Sequence, residues 1–113
     1  MAKSKLTLKQ GEAKRVTCSV TQDGEAVNLT GATLFLGVKK YRTDADYALS
    51  KNDAAFNKTQ AAGGIVSVFL DSADLDLEPW SYVGELKIAF ADPDGTIDKS
   101  ADLLLEVKPA VIA

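Results

Sequence analysis

An all-β, two-layer sandwich is the fold class this chain predicts, on three observations. Apolar and polar residues alternate with period two along most of the length, and no long stretch keeps apolar residues at helical spacing. Turn signals break the alternation at the spacing of sandwich strands: Asp23-Gly24, Asn52-Asp53, Gly63-Gly64 and Asp92-Pro93-Asp94-Gly95. The 113 residues are enough to close one two-layer core and too few for a second, so residues 1–113 are expected to form a single domain. A small closed barrel is the competing architecture.

Seven or eight antiparallel strands follow from the pattern. The first runs from Leu6 to Gln10 and stops at Gly11; the second, Lys14 to Gln22, sets Val16, Cys18 and Val20 against Arg15, Thr17 and Ser19. Asp23-Gly24 supports positive φ at low cost and is a strong hairpin signal, with a short strand expected over Ala26 to Leu29. In Thr33 to Arg42, Leu34, Leu36 and Val38 form the core face, and Phe35, Gly37 and Lys39 the other. Tyr47 to Lys51 and Ala54 to Thr59 are more polar and have edge character. Ile65 to Asp71 presents Val66, Val68 and Leu70 to one side. Ser72 is placed to cap one short helical turn over residues 72–77, with Asp74 and Asp76 in its first turn. Tyr82 to Phe90 turns Tyr82, Leu86, Ile88 and Phe90 inward and Glu85 and Lys87 to water. The last strand, about Ser100 to Lys108, buries Leu103, Leu105 and Val107 and is ended by Pro109.

Between the helical turn and the strand from Tyr82 lies Leu77-Glu78-Pro79-Trp80-Ser81-Tyr82. A Tyr shortly after Leu and Pro, at the start of a strand, has the layout of the tyrosine corner of immunoglobulin-like sandwiches, with Pro79 and Tyr82 as its structural residues. In antibody domains the second bridging Cys stands two residues beyond that Tyr; Gly84 stands there in this chain, and Cys18 is the single cysteine. The expected fold is therefore an immunoglobulin-like β-sandwich with no disulfide.

Catalysis finds little material. The chain contains no His, which removes the commonest general base and metal ligand together. Cys18, between two Val residues on one strand face, reads as a core residue rather than a nucleophile. The acidic runs Asp71, Asp74, Asp76, Glu78 and Asp92, Asp94, Asp98 lack the spaced ligand ladder of a calcium loop, and turn and cap chemistry accounts for them. The glycines match neither a phosphate cradle nor a dinucleotide fingerprint. No enzyme, metal or cofactor is expected. A net charge of −3 and a pI near 4.8 argue against nucleic acid and anionic membranes as partners. Neither a secretory leader nor a membrane-spanning apolar run is visible. Lys39-Lys40-Tyr41-Arg42 is basic but is followed by Asp44 and Asp46, as at a solvated strand end. Phe35 points away from the core face and Trp80 occupies a corner where a small residue would serve, so Phe35, Tyr41 and Trp80 are the candidate contact residues.

Residues Asp23-Gly24 through Leu29-Thr30-Gly31-Ala32-Thr33-Leu34-Phe35-Leu36-Gly37-Val38-Lys39-Lys40 are similar to the opening of small immunoglobulin-like domains of phage and prophage tail and baseplate proteins, such as the N-terminal domain of baseplate upper proteins. Gly64 to Leu70, the corner at residues 77–82 and the hairpin at Asp92 to Thr96 resemble later pieces of the same domains. The likeness covers about residues 5–109. It departs at Trp80, where those domains usually have Gly. The resemblance implies a noncatalytic structural protein that contacts other tail or baseplate subunits, forms a homo-oligomer, and resides in the host cytoplasm during assembly and then in the virion tail. A carbohydrate- or cell-surface-binding module, assisted by calcium, is the alternative from a different class.

Overall fold

The structure is a computed structural model and describes residues 4–99 and 103–111. Its strands are β1 (Ser4–Lys9), β2 (Lys14–Ser19), β3 (Thr21–Gln22), β4 (Glu25–Ala26), β5 (Thr33–Lys39), β6 (Leu49–Lys51), β7 (Phe56–Asn57), β8 (Ile65–Leu70), β9 (Trp80–Ala89), β10 (Ile97–Lys99) and β11 (Leu103–Lys108). One sheet has the order β1-β11-β9-β5-β6, with β10 also paired to β9; a second has the order β2-β8-β7. The inner faces of both enter one core: Leu34, Leu36, Val38, Leu86, Ile88, Leu105 and Val107 from the first, Val66, Val68 and Leu70 from the second. This is the all-β sandwich that the alternation predicts.

Several details depart from the expectation. The strands are not all antiparallel: β1 lies parallel to β11, Ser4 opposite Leu103 through Lys9 opposite Lys108. The strand expected from Lys14 to Gln22 divides at Val20, whose N–H bonds to Gly64 O at 2.8 Å. The remainder pairs as the small β3–β4 hairpin, with Asp23 at φ 54 and Gly24 at φ 81, the two positive values of a type I′ turn. Ala26 to Leu29 contributes only Ala26 to a strand. Residues Asp53–Ala55 form a 3-10 turn, which leaves Phe56–Asn57 as the strand there. The final strand's expected start at Ser100 lies outside the described residues.

The turn expected over residues 72–77 closes one residue earlier, where the Leu75 N–H bonds to Asp71 O at 3.2 Å. Its cap is Asp71 rather than Ser72. The Asp74 N–H donates to Asp71 Oδ1 at 2.8 Å, and the Asp71 N–H donates to Asp74 Oδ2 at 2.9 Å; this is the reciprocal arrangement of a capping box. Leu75 sits fully buried at its end, and its carbonyl accepts the Gly11 N–H at 2.9 Å. The corner forms as its sequence suggests: Tyr82 is buried and its hydroxyl donates to Glu78 O at 2.7 Å. Burial, with the Glu78 charge second, pushes the Tyr82 phenol above its ordinary range. Cys18 is free. At the place of its absent partner, Gly84 pairs with Val38, and a Cβ there would lie 3.1 Å from Val38 Cγ2.

β6 covers only Leu36 to Val38 of β5, so the Leu34 N–H beyond its end needs another acceptor. Asp53 Oδ1 accepts it at 3.0 Å and also binds Lys58 Nζ at 2.8 Å, while Lys58 donates to Ala32 O at 3.1 Å. The Lys58 ammonium, followed by the Leu34 amide, holds the Asp53 carboxyl below the usual range. A carboxyl with a lowered folded pKa adds stability above its unfolded value of about 4, and that stability is lost as pH falls through the folded pKa. The Asp53 side chain is about a third exposed, so solvent screens the pair and Asp53→Asn should cost only about 0.5 kcal/mol at neutral pH. The difference from the parent should shrink in urea titrations carried from pH 6 to pH 2; a pH-independent difference would exclude this linkage.

Candidate interaction surface

The structure brings together two of the three aromatic residues singled out by sequence. Trp80 is the first residue of β9, opposite Val107, and Tyr41 follows the end of β5. Their rings meet edge to face with centroids 5.7 Å apart, a favoured aromatic geometry. Lys40 Nζ lies 4.5 Å from the centre of the Trp80 ring and 5.9 Å from that of Tyr41. It also pairs with the Glu78 carboxylate, and that hydrogen bond raises the Lys40 pKa. Trp80 remains 43% exposed and Tyr41 51%. Two rings and a cation are thus held in one arrangement with much of their surface still open to solvent.

The corner holds this group in place. Tyr82 ties the carbonyl of Glu78 while the Glu78 side chain reaches Lys40, so the residue two before Trp80 is fixed at both its backbone and its side chain. Pro79, at the corner itself, is exposed and pre-sets its own φ. Trp80 has the strand parity of Tyr82, Gly84, Leu86 and Ile88, whose side of β9 faces the core. It therefore extends the inner face past the end of the core rather than standing on the outer face.

Phe35 is elsewhere, at the opposite end of β5 on the outer face of the larger sheet. It is half-buried against Tyr47, with centroids 5.4 Å apart and planes at 62°. Tyr47 fits because β5 has no side chain at Gly37, where a Cβ would stand 2.5 Å from Tyr47 Cε1. An aromatic laid over a strand glycine restores the cover that the glycine lacks. Tyr47 was not among the sequence candidates. Phe69 was also missed: its alternation places it on the outer face of β8, where it is 46% exposed beneath the Arg15 guanidinium.

Cys18 packs against the core from the side of a cleft of about 480 Å³ between the two sheets, which β2 shares with Leu6, Leu86, Ile88 and Leu103. Burial pushes its thiol pKa up, which lowers the thiolate fraction and with it the reactivity. One member of each acidic run shows how it is held. Asp74 pairs with Lys51 at 2.7 Å, and Asp92 accepts the Thr96 N–H at 2.9 Å across its hairpin. Among the described residues no three acidic or cysteine side chains come together as a metal site, and no helix is long and apolar enough to cross a membrane. No protein-family model matches the chain, and no curated protein matches it.

Proposed function

We propose that the domain is a noncatalytic structural subunit of a phage or prophage tail, working through protein contacts between copies of itself and neighbouring tail or baseplate subunits. The observation that carries the reading is the edge-to-face Tyr41–Trp80 pair with Lys40 over the Trp80 ring, exposed yet fixed by the corner beneath it. Trp, Tyr and cationic side chains ordered before contact lose little freedom on docking, which is the property of interface hot spots. The resemblance to tail domains supplies the biological setting. In such a particle, symmetry repeats one modest interface around an axis.

Sedimentation equilibrium over a wide concentration range tests the proposal. The parent should form a discrete closed oligomer, and Trp80→Ser with Tyr41→Ser should raise its dissociation constant at least tenfold while leaving the melting temperature nearly unchanged. A parent that stays monomeric throughout, or a variant that assembles as the parent does, would remove this surface as a self-association site.

A further inference from the structure

The outer face of the larger sheet carries a concavity of about 320 Å³ beside Tyr47. Its lining includes four cations, Lys39, Arg42, Lys87 and Lys99, and a single acid, Glu85. The whole chain has 16 acidic and 13 basic residues, so this local excess runs against the overall charge. The cations come from β5, the segment after it, β9 and β10, and the pairing sets them side by side. Phe35 is opposite Lys87, and Lys87 is opposite Lys99, which makes one row across three strands.

Like charges directly opposite on neighbouring strands disfavour the pairing. Among the described residues neither Lys87 nor Lys99 has a carboxylate within ion-pair distance. An anion from outside would offset the repulsion. We propose that this concavity binds acidic carbohydrate, a sugar bearing a carboxylate or sulfate.

Its shape and polarity point to that class. A volume near the low end of small-ligand pockets suits one or two sugar rings. Glu85 is suited to accept sugar hydroxyls, whereas it would repel a ligand that is anionic all round. A stacked nucleobase is disfavoured, because Tyr47 lies on Gly37 and Lys39 Nζ sits 5.2 Å from the centre of its ring, which takes up the aromatic face a base would need. The inference does not rest on the assembly reading.

Amide chemical-shift titration of the full chain at low salt decides it, with three probes. These are a tetrasaccharide of alternating glucuronate and N-acetylglucosamine, the same sugar with its carboxylates reduced, and a thymidine tetranucleotide. The acidic sugar should shift the amides of Gly37, Glu85, Lys87 and Lys99 and weaken at least tenfold when its carboxylates are reduced. Lys87→Gln with Lys99→Gln should weaken it at least tenfold, while Lys14→Gln, outside the concavity, leaves it unchanged. The double variant removes a repulsive pair, so it should fold at least as stably as the parent. Equal binding of the neutral sugar, tighter binding of the tetranucleotide at these amides, or shifts confined to other parts of the chain would each overturn the proposal. So would an acidic sugar that leaves every amide unmoved.

Discussion

Gly64→Ala is expected to lower the melting temperature by roughly 12 °C, the equivalent of about 3 kcal/mol in a domain of this size. Gly64 has φ 77 and ends the 3-10 turn Ala61–Gly63, a conformation that costs an L-residue about 1–2 kcal/mol. A second penalty adds to it. A Cβ there would stand 2.7 Å from Val20 O and 2.9 Å from Val27 O, and both contacts are backbone, which cannot rotate away. The same three residues are linked by hydrogen bonds, Val20 N–H to Gly64 O and Val27 N–H to Val20 O, so relieving the overlap would break the bonds that hold β2 against the start of β8. The adjacent Gly63 has nothing within 4 Å of its Cβ position, and Gly63→Ala should stay within about 0.5 kcal/mol. Thermal melts of both variants give the comparison. A fall at position 64 no larger than at position 63 would mean that the convergence of the Val20, Val27 and Gly64 backbones is not a constraint.

Leu75→Ala should cost about 3 kcal/mol, as much as a truncation in the middle of a core strand, although Leu75 belongs to a connection. Its side chain is fully buried, and its two backbone groups tie the connection to Asp71 and to Gly11 in the turn between β1 and β2. Shortening it leaves a void beneath the crossover from one sheet to the other. Guanidinium titration should show a lower midpoint with the slope unchanged. Leu77, which is only partly buried, should lose less when cut to Ala. If Leu77→Ala costs the same or more, Leu75 does not anchor this connection.

The parts of the fold that were legible in the sequence are those written in local chemistry. Alternation placed Leu34, Leu36 and Val38 inward, Asp23-Gly24 marked a hairpin, and Tyr82 shortly after Leu77 and Pro79 marked the corner. Pairing partners were hidden: nothing in Leu6 or Leu8 announces a parallel neighbour, because the period of two is the same in parallel and antiparallel strands. The candidate surface was legible in half. Parity showed that Phe35 points outward, but its cover by Tyr47 depends on a loop folding back over Gly37, and a missing side chain leaves no periodic signal. Lys40 was read as part of a solvated basic run, since its place over the Trp80 ring exists only once β9 brings Trp80 beside the end of β5. The cation cluster was the least visible feature. Its members are scattered from Lys39 to Lys99 in a chain whose net charge is negative, and cross-strand register alone assembles them.

The parallel pairing of β1 with β11 also determines how the domain answers to mechanical force. The chain enters this pair at Ser4 and leaves it at Lys108, and six residue pairs join the two strands between those points. Tension applied to the chain on the two sides of the domain would pull these strands in opposite directions along their own length. Their hydrogen bonds would then be loaded together, in shear, instead of opening one after another from a free end. Resistance to forced unfolding is governed by the unfolding rate, and shear loading keeps that rate low until several bonds yield at once. A domain connected in this way can transmit a pull from one neighbour to the next while its sandwich stays closed.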